Sequence, residues 1–287
     1  MNLIQLGVAQ WNLPYWVALL SSLLIAFVLV LAAWQKGDRF SHKLVLVLLS
    51  FNFALHFLKQ FIPAYQSLWP GGLVSSSAEN FCALMVLISP ILYLSQSKFA
   101  RDYLFYMGVL SGLVAILFPT RPVEFGFDTV DGIIETLRYY VCHIIILAIG
   151  PIMLAGKLHT LSRKRFWLQP LFILFALAIC FANCALMNVL FHNFEWDALL
   201  ERGNDFMNSS FCNGPGVAYD EVLGSAYPYL IPYVQIYYVE GILHFTPILW
   251  LFPFLILLSP LVFFLLCFPF TFKRKAREGK DGPKEVA

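Results

Sequence analysis

Two apolar stretches of the chain each carry a side chain capable of nucleophilic or basic chemistry. Cys82 lies near the start of the stretch 77–90, and His143 lies near the start of the stretch 138–151. A free thiol ionises at a pH of about 8.5, so at neutral pH it needs a base beside it to act as a strong nucleophile. An imidazole is such a base. If the two side chains lie at one depth, they form a catalytic Cys–His pair.

Further polar side chains fall in the same zones of the sequence. Asn52, His56 and Lys59 share one helical stripe at i, i+4 and i+7, and Glu135, Tyr139 and His143 share another. Polar groups inside membrane helices usually mark function. We therefore expect a polar pocket that opens on one membrane face. Its candidate orienting or substrate-binding residues are Asn52, His56, Lys59, Glu79, Asn80, Glu135, Arg138, Tyr139, Asn183 and Asn188.

The other cysteines and histidines are interpreted more simply. Cys142 neighbours His143 but points about 100° away on a helix, so we expect it to pack. Cys180 and Cys184 lack the further ligands of a metal site, and no metal or cofactor is expected. Cys212 alone lies in a polar loop. His42 and His159 fall at the ends of the helices that we assign to the cytoplasmic side, and we expect both side chains to be solvated.

The composition indicates a membrane protein. The 287 residues are 60% hydrophobic and 13% charged, whereas a soluble domain carries about 25% charged residues. A span needs roughly 20 apolar residues to cross a core about 30 Å thick. The fold class is thus all-α, a bundle of seven transmembrane helices. The predicted spans are 14–34, 44–63, 77–95, 101–118, 132–156, 165–190 and 245–271.

The distribution of Lys and Arg orients the bundle. Fifteen of these residues fall in one set of connections and in the C-terminal tail, whereas the opposite set holds Arg121 and Arg202 only. Positive charges stay cytoplasmic. We therefore expect the N-terminus outside and the C-terminus in the cytoplasm, with a membrane domain over 1–272 and a basic tail over 273–287. The loop 191–244 lies outside, and its Tyr- and Pro-rich part 226–243 is an interfacial or re-entrant element.

The motifs around the two reactive residues resemble a known family. They are Asn80-Phe-Cys82, Phe118-Pro119 followed by an acidic loop, Arg138-Tyr-Tyr-Val-Cys-His143 and Ala226-Tyr-Pro-Tyr229. This pattern is similar to the YwaF-like integral membrane proteins, a family that includes the cysteine-dependent phospholipid acyltransferase transmembrane protein 164. The similarity is best over 75–165. Asn80 departs from it, because family members often have His there.

The resemblance implies a thioester mechanism. Cys82 would take an acyl chain from a phospholipid and pass it to a lysophospholipid, with His143 as the base. A related lipid hydrolase, an outward-open transporter or receptor for a small polar or lipid ligand, and a structural assembly partner are the alternatives. The expected setting is the plasma or inner membrane, or the endoplasmic reticulum of a eukaryote, with no nucleic-acid partner.

Overall fold

The computed structural model describes Val8 and residues 11–67, 75–119, 129–162, 164–165, 168–192, 200, 210–215, 224–239, 241–252 and 255. This part of the chain is mostly helical. Because it also contains a two-stranded hairpin, the all-α prediction is wrong in that detail. The elements are α1 (Leu13–Phe57), α2 (Pro63–Ser67), α3 (Phe81–Leu94), α4 (Lys98–Leu117), α5 (Val130–Ala155), α6 (Gln169–His192), β1 (Ile236–Val239) and β2 (Ile242–Phe245).

Helix α1 is a hairpin of two helical arms that meet at Gly37. Gly37 has a non-helical backbone with φ of 79°, which glycine adopts without steric cost. The Ser41 hydroxyl donates to the Ala33 carbonyl at 3.1 Å, although residues eight apart in a straight helix lie about 12 Å apart along its axis. The chain therefore turns back at Gly37. The first arm (13–36) and the second arm (38–57) correspond to the first two predicted spans.

Contacts between helices define two ends of the bundle. Tyr15 in the first arm donates to the Leu117 carbonyl at the end of α4, and Asn52 in the second arm donates to the Cys142 carbonyl in the first half of α5. We call this the upper end. Ser41, beside the turn at Gly37, lies against Gly156 where α5 ends, and we call that the lower end. The helices alternate in direction between these two ends.

Helix α5 lies in the centre of the bundle, where most of its side chains are buried. Helix α4 packs on it through Gly108 and Gly112, spaced four residues apart as in small-xxx-small helix pairs. A Cβ atom on Gly108 would lie 2.8 Å from the Ile146 carbonyl oxygen. The bare glycine backbone is therefore what lets the two helices approach so closely.

The protein is an integral membrane protein. Among the described residues, four helical stretches are long and apolar enough to cross a bilayer, and α3 is a shorter apolar helix. The first six predicted spans each coincide with a described helix or arm. The seventh span and the orientation of the termini stay predictions, since residues 256–287, which hold most of that span and the tail 273–287, lie outside the described residues.

The residues before the predicted seventh span form a β-hairpin. Ile236 pairs with Phe245 and Val239 with Ile242, around a two-residue turn in which Gly241 has φ of 80°. Residues 245–248 are the strand end and a turn, and Leu249–Leu251 is a short 3-10 helix, so no α-helix begins at 245. Phe245 is instead paired with Ile236 in the hairpin ladder, which accounts for this difference.

The segment 210–215, which belongs to the predicted loop 191–244, is mostly buried against α6. The Cys212 thiol donates to the Leu177 carbonyl of α6 at 3.7 Å, and only 2% of Cys212 is exposed. The Cys212 carbonyl accepts from the Ile248 N–H at 2.7 Å, and Trp250 donates to the Phe211 carbonyl. This segment therefore packs into the bundle against α6 and ties the hairpin region to it.

Candidate functional site

Cys82 lies in the first turn of α3. Asn80 is the N-cap of this helix, and its side-chain oxygen accepts from the Ala83 N–H at 2.9 Å. The thiol is free and partly buried, and its sulfur lies 4.0 Å from the Ser111 carbonyl oxygen of α4. A helix N-terminus has N–H groups without helical partners and a positive dipole end, both of which favour negative charge. The start of α3 therefore contributes favourably to a negative charge at Cys82, against the cost of burying that charge.

His143 is held by its own helix. Its Nδ1 lies 2.7 Å from the Tyr139 carbonyl oxygen, and its ring centroid lies 4.1 Å from that of Tyr139. A carbonyl only accepts, so Nδ1 carries the proton and Nε2 has the lone pair of a base. The Tyr139 hydroxyl donates to the Ala115 carbonyl of α4 at 2.8 Å. Both rings are therefore anchored between α4 and α5.

Cys82 and His143 meet α4 at consecutive residues. Cys82 contacts the Ser111 carbonyl, and the next residue, Gly112, packs on the turn of α5 that begins at His143. A Cβ on Gly112 would lie 3.0 Å from the His143 carbonyl oxygen. Within the described chain, no hydrogen bond joins the two side chains directly. One turn of α4 thus lies against both the thiol-bearing and the imidazole-bearing helices.

Three of the other predicted site residues hold the segment 75–80, which leads into Cys82. Lys59 donates to the Ser75 carbonyl at 2.8 Å and pairs with Glu79 at 3.1 Å. His56 Nε2 lies 3.0 Å from the Ser76 carbonyl oxygen. On the other side, Asn183 of α6 donates to the Ser77 hydroxyl at 2.8 Å. These residues fasten the start of α3 to α1 and α6, instead of projecting freely into a pocket.

Glu135 and Arg138 form a buried ion pair with two hydrogen bonds. Arg138 Nε lies 2.6 Å and its terminal nitrogen 2.5 Å from the two carboxylate oxygens. The Tyr65 hydroxyl donates to Glu135 at 2.5 Å, and the Lys59 ammonium lies 5.4 Å from the Tyr65 ring centroid. The guanidinium's remaining nitrogen faces the Cys142 sulfur at 3.7 Å. Arg138 is therefore committed to internal partners.

Two predicted residues lie elsewhere in the upper half. Asn188 is fully buried in the last part of α6. Asn52 donates to the Cys142 carbonyl at 3.4 Å, one residue before His143. The amide of Asn52 therefore links the second arm of α1 to the helix that carries the imidazole.

A second polar cluster lies at the lower end and was missed by sequence reasoning. Asp102 of α4 is 1% exposed and accepts from His159 at 2.7 Å and from Arg165 through two guanidinium nitrogens. His159 is buried, so the expectation that it is solvated is wrong, whereas His42 is exposed and bonded to the Tyr93 hydroxyl. The sequence feature that could have indicated this cluster is Asp102 itself, a charged residue next to Arg101 at the start of a predicted span.

Ser111 and Tyr65 were also missed. Ser111 contacts Cys82 through its backbone carbonyl, and because every residue has this group, the sequence cannot single it out. Tyr65 follows Ile62-Pro63 in a connection between helices, and nothing in its spacing connects it to Glu135, 70 residues away. A contact between distant segments of this kind requires the folded chain.

A model of the TMEM164 family matches residues 6–246. This match covers the described helices, Cys82 and His143, and well over half of the chain. The chain therefore belongs to the TMEM164 family. Neither the curated proteins nor the solved structures contain a match.

Proposed function

We propose that this member of the TMEM164 family is a membrane-embedded acyltransferase that moves acyl chains between phospholipids through a thioester on Cys82. The observation that carries the proposal is the shared turn of α4. The Cys82 sulfur lies 4.0 Å from the Ser111 carbonyl oxygen, while Gly112 packs on the turn of α5 that begins at His143. The thiol and the helix that carries the imidazole therefore lie against adjacent residues of one helix, and covalent catalysis further requires the two side chains to come within hydrogen-bond reach.

In the first half-reaction, His143 Nε2 takes the thiol proton and the Cys82 sulfur bonds to the ester carbonyl carbon of a phospholipid. The carbonyl π electrons move to its oxygen. When the tetrahedral intermediate collapses, the C–O bond breaks and the lysophospholipid oxygen takes the proton from His143. The acyl chain is then held on Cys82 as a thioester.

In the second half-reaction, the hydroxyl of another lysophospholipid gives its proton to His143 and attacks the thioester carbonyl. The C–S bond breaks, and the sulfur recovers the proton from Nε2. If water replaces the lysophospholipid, the product is a free fatty acid. A buried site that excludes water favours the transfer over the hydrolysis.

Two further features support these steps. The N–H groups of Phe81 and Cys82 belong to the first turn of α3, where helical acceptors do not exist, so they are suitable donors to an oxyanion. The bond from Nδ1 to the Tyr139 carbonyl keeps the lone pair on Nε2. Catalytic hydrogen bonds commonly shorten only in the substrate complex, so we assign the approach of Nε2 to sulfur to substrate binding.

The test is mass spectrometry of purified protein incubated with phosphatidylcholine in detergent micelles. We expect an acyl adduct on the peptide containing Cys82, absent from Cys82→Ala. Cys142→Ala, which removes another buried thiol of the same bundle, should keep the adduct. His143→Gln should slow its formation by about 10²–10⁴-fold, the usual contribution of a general base. Acyl transfer that persists in Cys82→Ala would overturn the proposal.

A further inference from the structure

A small cavity lies one helical turn below the two reactive residues. Asn52, Met85, Ser89 and Ile146 line it together with three other aliphatic side chains. Met85 and Ile146 each follow a reactive residue by three positions, which puts the cavity about one turn toward the lower end. The volume in which the centre of a water molecule can lie is about 10 Å³. That volume is close to the minimum that a single bound water needs.

Asn52, on the wall of this space, has an unpartnered polar atom. The residue is 2% exposed, and its Oδ1 has no hydrogen-bond partner. The assignment of the amide atoms follows from the Cys142 carbonyl, which can only accept and therefore faces Nδ2. An unsatisfied buried acceptor costs about 1–3 kcal/mol. Because this acceptor lies beside a water-sized cavity, we expect the cavity to hold a molecule that donates a hydrogen bond to it.

Ser89 supplies a second acceptor on the cavity wall. Its hydroxyl proton goes to the Met85 carbonyl of its own helix, so the oxygen retains lone pairs for another donor. Ser89 is 5% exposed. The cavity thus has two acceptors and aliphatic surroundings. A molecule with two donor hydrogens and the size of water matches this set.

We infer that the cavity holds one water molecule, which donates to Asn52 Oδ1 and Ser89 Oγ. Through this water, Asn52 connects the second arm of α1 to α3, and through its Nδ2 it connects the same arm to α5. The bridge lies below Cys82 and His143 and joins the helices that carry them. Asn52 is in this sense a positioning residue. The water itself does not depend on the proposed acyl transfer.

Hydroxyl-radical footprinting by X-ray radiolysis tests the water directly, because radicals form from buried waters as well as from bulk solvent. Met85 lines the cavity, whereas Met107 and Met153 are equally buried and do not line it. We expect Met85 to be oxidised faster than these two internal controls in the intact wild-type protein. Equal rates for all three methionines would show a dry cavity and overturn the inference.

Variants of the two acceptors sharpen the test. In Asn52→Leu, which replaces the polar atom with apolar volume, the excess oxidation of Met85 should be lost while the rates of Met107 and Met153 stay unchanged. Ser89→Ala should reduce the excess. Excess labelling of Met85 that survives both changes would contradict the assigned partners. If the wild-type protein forms no acyl adduct, the proposed function fails, but the footprinting result still shows whether the cavity holds a water molecule.

Discussion

Removing one partner of the Glu135–Arg138 pair should destabilise the protein far more than removing both. Glu135 is fully buried and its carboxylate accepts two hydrogen bonds from Arg138, whose side chain is 7% exposed. In Glu135→Leu the guanidinium would stay in the bundle without its counter-ion. In Arg138→Met the carboxylate would be the uncompensated charge. Leu is close to Glu in size, and Met is unbranched like Arg but shorter, so it fills the inner part of the space of Arg138.

The expected cost follows from the burial. Breaking a buried ion pair by removing one partner costs about 3–5 kcal/mol, whereas replacing both by apolar groups is often close to neutral. The double variant Glu135→Leu/Arg138→Met should therefore be more stable than either single variant. The Tyr65 hydroxyl, which loses its acceptor in the double variant, sets a residual cost of about 1–3 kcal/mol.

Unfolding of the purified protein in mixed detergent–SDS micelles, followed by loss of helical circular dichroism, measures these free energies. Leu137→Met is the matched control, since Leu137 lies between the two residues in sequence and is 60% exposed. It should change the stability by no more than about 0.5 kcal/mol. Single effects that sum to the double effect within about 0.5 kcal/mol would show that the two groups are independent and refute the reasoning.

Two further substitutions test the contacts of α4: Gly112→Ala tests its packing on α5, and Asp102→Asn tests the polar cluster at the lower end. Gly112→Ala should cost about 1–3 kcal/mol and slow acylation of Cys82, because the new methyl group would lie 2.8 Å from the α5 backbone; Gly224→Ala, which meets nothing within 4 Å, should change neither. Asp102→Asn should cost about 3–5 kcal/mol in the same unfolding assay, because the Arg165 guanidinium loses its counter-charge. Exposed Asp38→Asn is its control, and equal effects of the two would contradict the assignment.

Part of the site was predictable because helical spacing is a local property. The stripe of Asn52, His56 and Lys59 was read from its i, i+4, i+7 spacing, and the structure buries all three side chains on one face of the chain. Their partners could not be read in the same way. The Cys142, Ser76 and Ser75 carbonyls that they contact are backbone groups, which every residue type carries.

The hairpin has a sequence pattern typical of strands, but the high hydrophobicity of the chain favoured another interpretation. Ile236-Tyr-Tyr-Val and Ile242-Leu-His-Phe are short runs rich in β-branched and aromatic residues, separated by Glu240-Gly241, which is typical of a two-residue hairpin. In a chain this apolar, the same residues also fit a membrane span. The ladder between Ile236 and Phe245 decides in favour of strands.

The sequence by itself determined that the chain is an integral membrane protein of apolar helices, since hydropathy and span length depend on neighbouring residues only. It also singled out Cys82 and His143 as groups with reactive chemistry. Only the tertiary structure decided what surrounds them: the turn of α4 against which both helices pack, the ion pair and hydrogen bonds that hold the segment before Cys82, and the cavity at Asn52. These depend on contacts between distant segments, which interhelical packing creates and local spacing does not encode.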